Sequence, residues 1–227
     1  MSHKLYPGSI ISKTAPTVVG PTNGEGGSAS GIWTMEQADY YIANGTWPLP
    51  VIQGGLYSWG DNSYYGQLGL GDTTNRSSPS QVGSLATWRR VAPGGNHMVA
   101  IKSDGTLWSW GYNGNGQLGL GNTTNYSSPK QVGALTNWAN ISCGRFFTIA
   151  VKTDGTLWGW GYNGYGQLGD GTTTTKYSPV QVGALTTWSK VAAGNNHSLA
   201  IKTDGTIWAW GRNAAGQLGT GNTTQYS

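Results

Sequence analysis

LWGWGYNGYGQLGDG (157–171) decides the fold, because the chain writes it more than once. Its leading pentad reads LYSWG at 56–60, LWSWG at 107–111, LWGWG at 157–161 and IWAWG at 207–211. The spacings are 51, 50 and 50 residues. A period near 50 with short strands and glycine turns is the mark of radially repeated sheet. The first copy carries one extra residue in DNSYYGQLG (61–69), where the second has YNGNGQLG (112–119). That marks a loop tolerant of length change. The frame recovers at once, so Gly66, Gly116, Gly166 and Gly216 are equivalent.

Each unit holds the makings of four strands. In the third, TWSKVAAG (187–194), HSLAIK (197–202) and TIWAWG (206–211) read as three, and SPVQVG (178–183) as a fourth. KTDG (202–205) is a tight turn, in which aspartate bonds its own backbone and glycine accepts positive φ. Leu199 and Ile201 alternate with Ala200, so one side of that strand is bulkier. Trp108 and Trp110 lie two apart and share a strand face, as do Trp158 with Trp160 and Trp208 with Trp210. These pairs are expected to fill the wedge between neighbouring sheets. Leu168 of GQLG is expected to plug the apolar layer, and Gln167 to bond loop carbonyls. The expected class is all-β, in blades of about 50 residues. The units run 56–106, 107–156 and 157–206, with 207–227 incomplete. Three units and 21 residues are about 3.4 blades, short of the 4–8 in a propeller. The expectation is a chain that continues beyond Ser227 or closes with another chain.

Composition restricts the function classes. The chain has 38 glycines, 12 tryptophans and 12 tyrosines, and 10% of its residues are charged. No run reaches the roughly 20 apolar residues of a membrane span, so no membrane insertion is expected. Residues 56–227 hold eleven basic and six acidic side chains, with Arg89 and Arg90 the one adjacent basic pair. Scattered charge of this kind argues against a nucleic-acid platform. Cys143 is single and equivalent to Pro93 and Ala193, which suits a buried filler. His97 and His197 share a position with Phe147, an exchange that a ligand or catalytic base would not survive. Asp154 and Asp204 recur once per unit as turn residues. The GQLG glycines lack the GxxxxGK[ST] pattern of a phosphate loop. No catalytic, metal or cofactor site is expected, and the chain does not read as an enzyme.

SWGxNxxGQLGxG together with GxxHxxAIKxDGxLWxWG resembles the blade repeat of the regulator of chromosome condensation family, across residues 56–227. The resemblance implies a seven-bladed β-propeller, of which this chain holds part, acting as a protein-binding platform. Uses within such a family include guanine-nucleotide exchange on a small GTPase and inhibition of β-lactamases. No contact set for either can be matched to these residues.

The N-terminal part is different material. TAPTVVGPTNGEGGSASG (14–31) reads as an extended arm, taken as residues 1–30. A short helical anchoring element follows within 31–55. Thr34 and Gln37 make a capping box, Met35, Ala38 and Ile42 form a stripe, and Asn44-Gly45 ends the helix. Residues 26–48, GGSASGIWTMEQADYYIANGTWP, resemble an element near the N-terminus of structural proteins from marine and cyanobacterial tailed phages. That resemblance implies a virion protein, a fibre or other appendage on the particle exterior that is made in the host cytoplasm. Residues 1–47 would bind other virion proteins through Trp33, Met35, Ala38, Ile42 and Trp47. The usual symmetry of such appendages implies a homotrimer. The blades would present Tyr64, Tyr112 and Tyr165 to a host surface protein or glycan. The alternative is a cellular propeller adaptor or guanine-nucleotide exchange factor.

Overall fold

The computed structural model describes residues 55–84 and 87–227. The expected arm, the expected helix and its anchoring side chains Trp33, Met35, Ala38, Ile42 and Trp47 lie outside the described residues. Those residues contain no helix and form thirteen strands in four antiparallel sheets. The first sheet pairs β1 (Tyr57–Gly60) with β2 (Arg76–Gln81). The second is β3 (Trp88–Pro93), β4 (His97–Lys102), β5 (Leu107–Gly111) and β6 (Tyr126–Gln131), in that order. The third repeats it with β7 (Trp138–Cys143), β8 (Phe147–Lys152), β9 (Leu157–Gly161) and β10 (Lys176–Gln181). The fourth has β11 (Trp188–Ala193), β12 (His197–Lys202) and β13 (Ile207–Gly211), with a lone bridge from Gly211 to Tyr226. The architecture is a partial β-propeller.

The sheets are out of phase with the sequence units. Each four-stranded blade takes two strands from the end of one unit and two from the start of the next. The strand expected at 178–183 begins at Lys176 and ends at Gln181. β3 packs on β7 and β7 on β11, so these first strands lie innermost, where blades converge. The outermost strands β2, β6 and β10 each carry a proline: Pro79, Pro129 and Pro179. Proline lacks the ladder donor and is tolerated at such edges.

Small faces large within each blade. Ala150 pairs with Trp158 and Thr148 with Trp160. The small side of β8 thus makes room for the indoles, and Ala200 opposite Trp208 with Ser198 opposite Trp210 explains the Leu199–Ala200–Ile201 alternation of β12 in the same way. The bulky side of one blade meets the indole side of the next. Val99, Ile101, Leu107 and Val132 share one core with Trp138, Ala150 and Trp160 of the following blade. Trp110 and Trp160 are fully buried, as expected for inter-blade packing. Tyr57, Trp59, Ile207 and Trp208 stay exposed, because within the described residues no sheet stacks beyond them.

Candidate protein-interaction face

The loops at one end of the blades are built on a repeated asparagine. Asn113 is fully buried. Its side-chain oxygen accepts from the Leu118 amide at 3.0 Å, and its amide group donates to the Asn122 carbonyl at 2.9 Å. Asn62, Asn163 and Asn213 do the same in their units. One carboxamide thus folds each GQLG turn back on the strand before it. Leu168 is fully buried against Phe147 and Ile149, as expected. Gln167 differs from expectation: its side-chain oxygen accepts from the Tyr165 amide at 2.9 Å, with no bond from its amide group to a carbonyl among the described residues.

A second loop joins the first in the second, third and fourth sheets. The amides of Tyr112, Tyr162 and Arg212 donate to the carbonyls of Asn96, Phe146 and Asn196, at 2.8, 2.9 and 2.9 Å. Strands β3, β7 and β11 end at this second loop, and β5, β9 and β13 end at the first, so all these loops share one face. On this constant frame the outward positions vary. Asp61, Tyr112, Tyr162 and Arg212 are equivalent, as are Asn96, Phe146 and Asn196.

The variable positions form an aromatic row across blades. Tyr64 packs on Tyr65 with centroids 6.1 Å apart, Tyr65 on Tyr112 at 4.6 Å, and Tyr112 on Phe146 at 6.1 Å. Tyr162 meets Phe146 through its backbone amide, and its ring packs on Tyr165 at 6.1 Å as a second aromatic pair. Arg145 lies 4.9 Å from the Phe146 centroid and Arg212 5.4 Å from that of Tyr165. Of the tyrosines expected here, Tyr64 and Tyr112 lie in one row and Tyr165 in the pair with Tyr162, with Tyr64 the most exposed at 77%. The extra residue of the first loop carries Tyr64 outward. Phe146, Tyr65, Tyr162 and the two arginines escaped notice, since Phe146 sits beside the buried Phe147 in an apolar run. Superposing the units residue by residue would have exposed the Asn/Phe/Asn exchange.

The remaining polar groups are structural. His97 is buried, with Nε2 3.2 Å from Thr148 Oγ1, and burial pushes its pKa down to about 3. Cys143 is buried 3.8 Å from Thr148 Oγ1, and desolvation pushes its thiol up to about 12. A thiol held so far from thiolate is inert. At the opposite end of the blades, Asp104 accepts from the Thr106 amide and hydroxyl at 2.9 and 2.6 Å. Those bonds hold its carboxyl below the ordinary value. Thr106 in turn accepts from the Trp108 indole at 2.9 Å, and 154–158 and 204–208 repeat the relay. Lys152 lies over two indoles, 3.5 Å from the Trp158 centroid and 4.8 Å from Trp138. Desolvation lowers its pKa. Among the described residues, no three histidine, cysteine, aspartate or glutamate side chains converge on a metal-sized site.

Known proteins share this design. A family model, the RCC1-like domain, matches residues 41–227. The X-linked retinitis pigmentosa GTPase regulator homolog of Caenorhabditis elegans is 40% identical over 67 residues, 29% of this chain and 5% of that protein. Human WBSCR16 superposes with a TM-score of 0.67 and 26% identity, over 77% of this chain and 46% of its own. Prp20p of Saccharomyces cerevisiae, described with its binding properties to Gsp1p and histones, gives a TM-score of 0.65 and 25% identity, over 76% of this chain and 44% of its own. The chain thus spans less than half the length of these solved relatives.

Proposed function

This chain belongs to the RCC1-like domain family, and from that premise we propose that it is a protein-binding platform whose contact surface is the aromatic loop face. The observation that carries the reading is the row from Tyr64 through Tyr112 to Phe146, set on a frame that does not vary. Aromatic side chains supply large contact area at low entropic cost, and arginine joins them at binding hot spots. The blade frame fixes their positions before a partner arrives, which reduces the ordering cost of association. The relatives favour a cellular adaptor or an exchange factor. The worm relative is described as a GTPase regulator homolog, and Prp20p by its binding to Gsp1p and histones. No chemical step is assigned to the chain itself. The second reading is a virion appendage, favoured by the resemblance of residues 26–48 to tailed-phage elements. That segment lies outside the described residues.

The test is partner capture by the full chain beside a variant with Tyr64, Tyr112 and Phe146 changed to alanine. Equal thermal unfolding must first establish that the variant is folded. The expected result is a set of proteins retained by the parent and lost by the variant. Identical sets would overturn the assignment of the face. Faster nucleotide release from a captured GTPase would select exchange factor over adaptor. Capture of portal, capsid or tail proteins through residues 1–47 would select the virion reading.

A further inference from the structure

The face is polarised, and among the described residues no acidic group engages its basic end. Asp61 stands at one extreme, its carboxylate taken by Ser63 and Gln67. Arg145 and Arg212 stand toward the other. Both are exposed, and neither makes an ion pair or side-chain hydrogen bond among the described residues. Asp170, the acidic residue in the 162–175 loop between them, is already bonded to Lys176 Nζ at 3.3 Å.

These two side chains are not free-swinging. Each guanidinium lies over a ring, Phe146 for Arg145 and Tyr165 for Arg212. The Arg145 stem runs over Gly95, where an added Cβ would come within 3.2 Å of Arg145 Cγ. Stacking on a ring face leaves the edge N–H groups of guanidinium open, and that edge matches a carboxylate bidentately. The two arginines also flank one loop. The Arg145 amide donates to the Asn195 carbonyl at 3.2 Å, and the Arg212 amide to the Asn196 carbonyl at 2.9 Å. Asn195 is exposed, and neither asparagine side chain has a hydrogen bond among the described residues. Two arginines, each with its guanidinium over a ring, thus flank one loop by their backbones, and among the described residues that loop's carboxamides are unengaged.

We propose that this end of the face binds an acidic peptide segment of a protein partner. Aspartate or glutamate carboxylates would pair with Arg145 and Arg212, and a neighbouring apolar side chain would lie on the Phe146 ring. The inference rests on the interaction-face reading and adds to it the charge of the partner. Charge complementarity selects the occupant: on the described face, nothing acidic neutralises the two arginines, and the planar fork suits carboxylates.

The test is fluorescence anisotropy of the full chain. The probes are labelled peptides with paired glutamates beside leucine, proline or phenylalanine, their glutamine counterparts, and versions with phosphoserine for glutamate. The expected result is binding of at least one glutamate peptide, weakened by salt. Glutamine exchange, or Arg145→Ala with Arg212→Ala, should weaken it about tenfold or more. Arg145→Lys with Arg212→Lys should restore only part, since lysine keeps charge without the fork. Equal binding of glutamine and glutamate peptides would overturn the proposal. So would binding of phosphoserine peptides alone, or no binding of any glutamate peptide. Loss of binding in Tyr112→Ala with Phe146→Ala, but not in the arginine variants, would overturn the acidic preference and leave the face assignment standing.

Discussion

The indole N–H of Trp160 donates to the backbone carbonyl of Gln117, 2.9 Å away and 43 residues earlier in the chain. The Thr148 hydroxyl shares that carbonyl at 3.0 Å. Trp110 repeats the bond to Gln67 and Trp210 to Gln167. The GQLG turns at 66–69, 116–119 and 166–169 are therefore each a socket for a tryptophan of the following blade. The socket sets the spacing of the loop face, because the turn that receives the indole also carries the outward tyrosines. Trp160→Ala is expected to cost about 3–5 kcal/mol by chemical denaturation, the usual loss for a fully buried aromatic. Trp59→Ala, at an equivalent but exposed position, should stay within about 0.5 kcal/mol. Equal losses would show that exposure does not separate the two sites.

The socket also demands glycine. Gly119 has φ +72, and an added Cβ would lie 2.8 Å from Trp160 Nε1. Gly133 has φ +61 and open space around it. Both alanine variants bear the left-handed backbone cost of about 1–2 kcal/mol, and Gly119→Ala adds displacement of the indole. The difference in unfolding free energy between the two variants measures that contact. If Gly133→Ala proved the more costly, the indole contact would not be what requires glycine.

His97 gives a pH signature. Its folded pKa is about 3, against 6.5 for an ordinary histidine, and the cause is desolvation. A depressed pKa means that the unfolded chain takes a proton the folded one refuses. The contribution is complete above pH 6.5, and is lost as pH falls from there towards about 3. His97→Phe places there the residue that position 147 already holds. Its stability should fall less steeply below pH 6.5 than that of the parent. Parallel acid limbs in the two proteins would rule out a buried neutral imidazole.

Much of this fold is written locally. The Asp-Gly turns, the three strands of TWSKVAAG to IWAWG, and the shared face of paired tryptophans follow from turn chemistry and period-2 alternation. Blade phase is not local: LWSWG opens the sequence unit, but the sheet closes on hydrogen bonds to strands on both sides of it. Nothing near Lys152 in sequence announces that Trp138 and Trp158 enclose its ammonium. The aromatic row was half visible. Tyr64 and Tyr112 stood out as polar-loop tyrosines, whereas Phe146 joins them only through packing between blades.

The loop face is tested most directly by site-specific photocrosslinking. A benzophenone side chain is placed at Tyr64, on that face, or at the exposed Leu185, in the loop that precedes β11 at the opposite end of the blades. Each full-length protein is irradiated with its captured partner. Crosslinked partner from position 64 and none from 185 is the predicted result; crosslinking from 185 alone would contradict the account.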